Sequence, residues 1–221
     1  MGGQIIALPS MVLLYHNVPY NPFLQTTRTR RAQARRVRFL FTFFLHIRDK
    51  QGGSSMASCF LSIYKIHDKA RMGWLEKHMR CSNTPADKNI ESTCSGLSYW
   101  DTIQKRIRTL SYYDSHKVRV NAVLAYSVYT ACSQGAAADP QGWITANLAW
   151  LHNAFDCAPD GVSNILEVIY HTAPAPHLHA LVIPIDPRGH LCASFFTNGS
   201  IAMAQLQASY ARQMQSLSRT V

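Results

Sequence analysis

APHLHALVIPID, running from Ala175 to Asp186, decides how this sequence is read. Two histidines flank a leucine at the mouth of an apolar, β-branched run that follows a proline-rich turn. Alternation along a strand sends His177 and His179 to one face and Leu178, Ala180 and Val182 to the other. The second set suits a core covered by helices. The first set then projects two imidazoles together from an open face. Neutral imidazoles so placed can share one cation and suit Mn, Zn, Fe or Ni better than Mg. A His-x-His pair alone is equally compatible with two hydrogen-bonded histidines of no chemical role. Its place after the turn, with Tyr170 and His171 on the strand before, favours a site.

The chain around this stretch reads as alternating elements. SNILEVIYHT (163–172) is the strand before it, joined through the tight APAP turn, and PRGH (187–190) turns the chain afterwards. MAQLQASYARQMQSL (203–217) is a terminal helix. Upstream, SCFLSIYKI (58–66) has strand composition, and DKARMGWLEKHMRC (68–81) is a helix with Asp68 as its cap. TPADKNIESTCSG (84–96) reads as loop. SYWDTIQKRIRTLSYY (98–113) spaces Trp100, Ile103, Ile107 and Leu110 as a helix does, with a basic outer face. NAVLAYSVYTACS (121–133) is another strand. DPQGWITANLAWLHNAF (139–155) is a helix carrying Trp143, Leu148, Leu151 and Phe155. The order β-α-α-β-α-β-β-α predicts an α+β fold, one antiparallel sheet with helices packed on one face.

Composition bounds the rest. With 221 residues the chain can bury one substantial core. A hydrophobic share of 47% against 15% charged excludes a disordered chain. Cysteines 59, 81, 94, 132, 157 and 192 form no Cys-x-x-Cys pair, which argues for reduced thiols over a disulfide frame or zinc finger. The net charge of +10 is unevenly placed: residues 1–55 hold eight lysines and arginines against the single acid Asp49. A body so mildly basic permits a nucleic-acid partner without demanding one.

That first segment, 1–55, has no sustained period. It is expected to be an irregular basic and apolar extension, a DNA-binding arm or a stretch outside the native product with Met56 as the true start; the folded domain is expected over 56–221. VRFLFTFFLHI (37–47) is too short to span a bilayer and is interrupted by Arg38. The N-terminus lacks the features of a secretory signal. No membrane insertion and a cytoplasmic location are expected.

PHLHALVIPIDPRGHLCASFF (176–196) resembles the metal motif of the plasmid mobilisation relaxases, the Mob/Pre (MOBV) family of His-hydrophobe-His nickases. KHMRCSNTPADKNI (77–90) is similar to that family's first motif and GLSYWDTI (96–103) sits where its second lies. KVRVNAVLAYSVY (117–129) resembles the strand after it, and MAQLQASYARQMQSLS (203–218) the helix after the metal site. The resemblance runs from about Met56 to the C-terminus. It implies a relaxase-like fold and a metal-dependent, strand-specific endonuclease that nicks origin-of-transfer DNA, single-stranded or locally melted, during plasmid mobilisation.

The same resemblance implies His177, His179 and His171 as ligands of a divalent metal, Mn²⁺ or Mg²⁺, and His78 as the attacking group. Tyr64 and Tyr99 stand in reserve, since relatives in the superfamily attack with tyrosine. Lys77, Arg80, Lys117 and Arg119 are the expected DNA contacts, with Lys105, Arg106 and Arg108 nearby; their alternative is a solvated face. No organic cofactor is implied.

The sequence also departs from the family. Its third motif reads His-x-Asp-Glu-x-x-Pro-His-x-His, whereas YHTAPAPHLH (170–179) puts Tyr170 at the first histidine and Thr172 and Ala173 at the acidic pair. His171 serves only if the loop is one residue shorter. Ser98 stands where the second motif has Asn, and the Asn beside TP is missing. The family's long C-terminal region is not present, so a minimal catalytic domain, truncated at the C-terminus, is expected. Two other readings stay open: a catalytically decayed DNA-binding remnant of the same fold, and a metal hydrolase of small phosphoesters.

Overall fold

Strand polarity and helix caps settle the frame, which we describe from a computed structural model covering residues 45–46, 58–81, 87–132, 139–173 and 175–217. All of these belong to one unit, Phe41–Val221. The strands are β1 (Leu45–His46), β2 (Ser58–Ile66), β3 (Lys88–Ser92), β4 (Ala125–Cys132), β5 (Ile165–His171) and β6 (His177–Val182). They form one sheet in the order β1-β2-β4-β6-β5-β3, every neighbouring pair antiparallel. The helices are α1 (Lys69–Arg80), α2 (Tyr99–Arg108), α3 (Tyr112–Ser115), α4 (Pro140–Phe155), α5 (Ala193–Thr197) and α6 (Gly199–Leu217).

The α+β class and the antiparallel sheet are those the sequence pattern gives. Leu178, Ala180 and Val182 enter a core with Tyr126, Val128, Val168 and Tyr170, packed under Trp143, Trp150, Leu151 and Phe155 of α4 and Tyr210 and Met214 of α6. The opposite face is covered too, which the pattern did not suggest. There Met72, Leu75 and Met79 of α1 and Tyr99, Ile103 and Ile107 of α2 pack with Ile169, Leu181 and Ile66 of the sheet. Both helices are short and largely polar outside one apolar stripe, which is faint in α1 and well marked in α2, and burial of those stripes is what holds them.

The segment expected as loop over 84–96 contains β3, an edge strand on β5 with a register shift between Asn89 and Glu91. Its sequence, KNIES, has no apolar alternation because it lies at the sheet edge. Of the extension expected over 1–55, Leu45 and His46 pair with Cys59 and Ser58 along β2; the remainder, with its arginine cluster and the possible start at Met56, lies outside the described residues. No helix among the described residues is long and apolar enough to cross a membrane.

Candidate metal centre

Three strands carry one row of side chains to the face under α1. In register, Ala131 of β4 lies beside His177 of β6, and His177 beside His171 of β5. The adjacent row runs from Tyr129 through His179 to Ile169. The β5–β6 hairpin therefore sets His171 directly opposite His177, with His179 one step along the same face. Tyr170 points to the other face, where its ring meets Trp143 at 6.1 Å. It is His171, not Tyr170, that shares a face with the other two histidines.

One nitrogen from each of His171, His177 and His179 lies within 4.8 Å of the other two. A cation held by imidazoles at about 2.0–2.1 Å needs those nitrogens closer than about 4.2 Å, a difference that small ring rotations close. The rings are buried, at 2%, 8% and 6% exposure. The expectation of imidazoles projecting from an open face is therefore corrected: α1 lies over that face, and the rings sit in a recess beneath it.

The buried rings are poor in partners. Nε2 of His171 and both ring nitrogens of His179 have no hydrogen-bond partner among the described residues. Such orphaned polar atoms are costly in a core unless something meets them. His177 donates from Nδ1 to the Ala175 carbonyl at 2.7 Å, which frees its Nε2. His171 Nδ1 faces Asp87 Oδ2 at 3.2 Å. Burial, followed by the neighbouring His177, His78 and His171, pushes His179 down to about 3. His177 is lowered as well, first by burial. Neutral rings with free lone pairs are what a divalent cation requires, so the donor set fits one.

His78 reaches this recess from the last turn of α1. Asp68 caps that helix by accepting from the Arg71 amide at 2.8 Å, and Met72, Leu75 and Met79 bury its inner stripe. His78, on the flank of that stripe, brings its ring to 4.9 Å from His179 at 88°. Its other side is covered by the Trp74 indole, parallel within 3° at 5.4 Å, and Trp74 itself is 67% exposed. Burial first, and His171 second, lower the pKa of His78, favouring the neutral form.

The remaining expected residues divide. Lys77 is exposed beside His78. Arg80, also exposed, is held by neighbours: it contacts Glu76 at 2.6 Å and Glu167 at 3.2 Å, and lies 4.5 Å from the Tyr99 ring centre. Tyr99 is fully buried and donates to Glu167; burial and that bond raise its pKa, so its phenol is ill suited to attack. Tyr64 is half-exposed on β2, one strand beyond Tyr129 on the same face.

Arg106, expected on a basic surface, is instead buried in a two-point ion pair with Asp160 at 2.6 and 2.8 Å. Lys105 and Arg108 stay exposed. Lys117 and Arg119 lie exposed before β4, which starts at Ala125, whereas His177 pairs with Ala131 near its far end. The fold therefore does not gather Lys117 and Arg119 beside the three histidines. Ser98, in the place of the family's Asn, caps α2 by accepting from Asp101 N. Sequence reasoning missed Asp87 and Trp74. Asp87 was hidden in an apparent loop, while an exposed tryptophan four residues before a singled-out histidine is a readable signal.

The fold is that of solved structures of a relaxase domain. Structures of the MobM relaxase domain (MOBV; Mob_Pre) share it. The one bound to 23 nucleotides of plasmid pMV158 oriT DNA, Mn-bound at pH 6.5, aligns with a TM-score of 0.59 at 17% identity, over 72% of this chain and 84% of that one. A Mn-bound complex with 22 nucleotides at pH 4.6 gives 0.58 at 20%, over 72% and 86%. A complex with 26 nucleotides gives 0.56 at 18%, again over 72% and 86%. At such identity the likeness is one of fold. No family model matches the sequence, and no curated protein matches it.

Proposed function

We propose that this chain is a relaxase-type DNA nickase domain, metal-dependent and strand-specific, acting on single-stranded or melted origin-of-transfer DNA during plasmid mobilisation. The observation that carries the reading is the convergence of His78, from a helix early in the chain, on three histidines of the late β5–β6 hairpin. The DNA- and Mn-bound state of the MobM structures of like fold supports it. A divalent cation held by His171, His177 and His179 would draw charge from the non-bridging oxygens of the scissile phosphate. Manganese suits three imidazoles better than magnesium does.

His78, kept neutral, has a lone pair for attack on phosphorus. A nitrogen–phosphorus bond forms as the bond from phosphorus to O3′ breaks. The electron pair leaves on O3′, which takes a proton from solvent. The 5′ phosphate stays joined to His78, so the reverse reaction rejoins the strand. Lys77 beside His78 would meet the flanking phosphate, and Arg80 would keep His78's helix end in place through Glu76 and Glu167. Lys117 and Arg119, ahead of the start of β4, would contact DNA only outside the cleaved step. Such chemistry belongs in the cytoplasm, where plasmid DNA resides.

The test is incubation with a labelled oligonucleotide of the cognate transfer origin and Mn²⁺. A denaturation-resistant protein–DNA adduct is expected, together with relaxation of supercoiled origin plasmid, and both vanish in His78→Ala. DNA binding with no adduct and no relaxed product would mark the chain as a non-catalytic DNA-binding remnant.

A further inference from the structure

The motif the sequence resembles carries an acidic pair in the loop before its histidines, and this chain has Thr172 and Ala173 there. A buried carboxylate nevertheless stands at the trio. Asp87 immediately precedes β3, whose Lys88 pairs with Tyr170 of β5, so Asp87 falls beside His171. Its Oδ2 is 3.2 Å from His171 Nδ1, and its Oδ1 accepts from the Thr172 amide at 2.9 Å and the Thr172 hydroxyl at 3.1 Å. The side chains of His171 and Asp87 are only 3% and 4% exposed. The far nitrogen of His171, Nε2, is one of the orphaned buried atoms.

These contacts have a directional consequence. A carboxylate only accepts, so a proton on Nδ1 of His171 is held toward Asp87 and the lone pair is left on Nε2, where the other two rings converge. Resting on the metal reading above, we propose that Asp87 is the positioning residue of the centre. It supplies, from the segment just ahead of β3, the carboxylate missing from the loop, fixing the His171 ring in the tautomer that can ligate. Thr172 sets the carboxylate's angle through two bonds to the other oxygen. Partners of this kind commonly govern ligand orientation and basicity.

Asp87→Asn separates this role from packing. The amide keeps shape and can still accept from Thr172, but its NH₂ then faces His171 and favours a proton on Nε2, where a cation would bind. Titration of the full-length protein with Mn²⁺ alone, followed by calorimetry, is expected to show affinity reduced about 10- to 100-fold in Asp87→Asn. ¹⁵N NMR of the metal-free wild type is expected to show His171 protonated on Nδ1, which needs no variant to fold. Mn²⁺ binding unchanged in a folded Asp87→Asn, or His171 protonated on Nε2 in the wild type, would overturn the assignment while leaving the centre standing. A wild type that binds no Mn²⁺ would instead remove the centre itself, and this role with it.

Discussion

Trp74 lies flat against His78 with two thirds of its own surface in solvent. An indole so exposed, fixed beside the ring proposed to attack, would offer an unpaired base a stacking surface, and such stacking contributes about 1–3 kcal/mol per base. Trp74→Ala is expected to weaken single-stranded oligonucleotide binding by that amount in a fluorescence-anisotropy titration, and Trp74→Phe to restore part of it. Leu178 makes the contrasting case, since it lies between two of the proposed ligands yet points to the other face. It is fully buried, so Leu178→Ala is expected to cost about 2–5 kcal/mol in chemical denaturation. His177 and His179 were legible because a two-residue period is written directly in the sequence. Asp87 was not, because its meaning depends on which strand lies beside it.

Among the elements, β3 is a strand the sequence concealed, and it is tied down by a titratable clamp. His152, near the end of α4, contacts Glu91 of β3 at 3.1 Å and Asp156 at 2.6 Å. Burial opposes charging of this ring, but the Asp156 and Glu91 carboxylates outweigh it and its pKa is raised. A group whose folded pKa lies above its unfolded value stabilises fully below the unfolded pKa, about 6.5 for histidine. That contribution is lost as pH rises through the folded value. The stability difference between wild type and His152→Ala, followed by thermal melts from pH 5 to pH 9, is expected to be greatest at the acid end and to shrink toward alkaline pH. A difference that grows with pH would refute the clamp. Helix α4 was readable because Asp139, Pro140 and a run of large apolar residues announce it. Helix α1 was readable by its cap, but its position over the histidines was not, since no local pattern encodes which sheet face a short polar helix will cover.

For the whole molecule, the antiparallel sheet followed from strand spacing, while its two-sided coverage emerged only when the packing of α1 and α2 was in view. Two-sided coverage makes the strands from β2 onward carry the fold, and the two-residue β1 contributes only an edge. A chain beginning at Met56 is accordingly expected to unfold cooperatively and to gain as much thermal stability with Mn²⁺ as is expected of the full chain; an insoluble product, or a metal effect seen only in the full chain, would show that residues 1–55 belong to the domain. The three ligand candidates hang from one hairpin, whereas the imidazole proposed to attack arrives on a helix from the opposite end of the sequence. In the proposed function, gripping an ion and cutting a strand would thus rest on separately encoded pieces. Mutation could then exchange the proposed cutting group, or silence it, and leave behind a domain that would still load an ion and keep its shape.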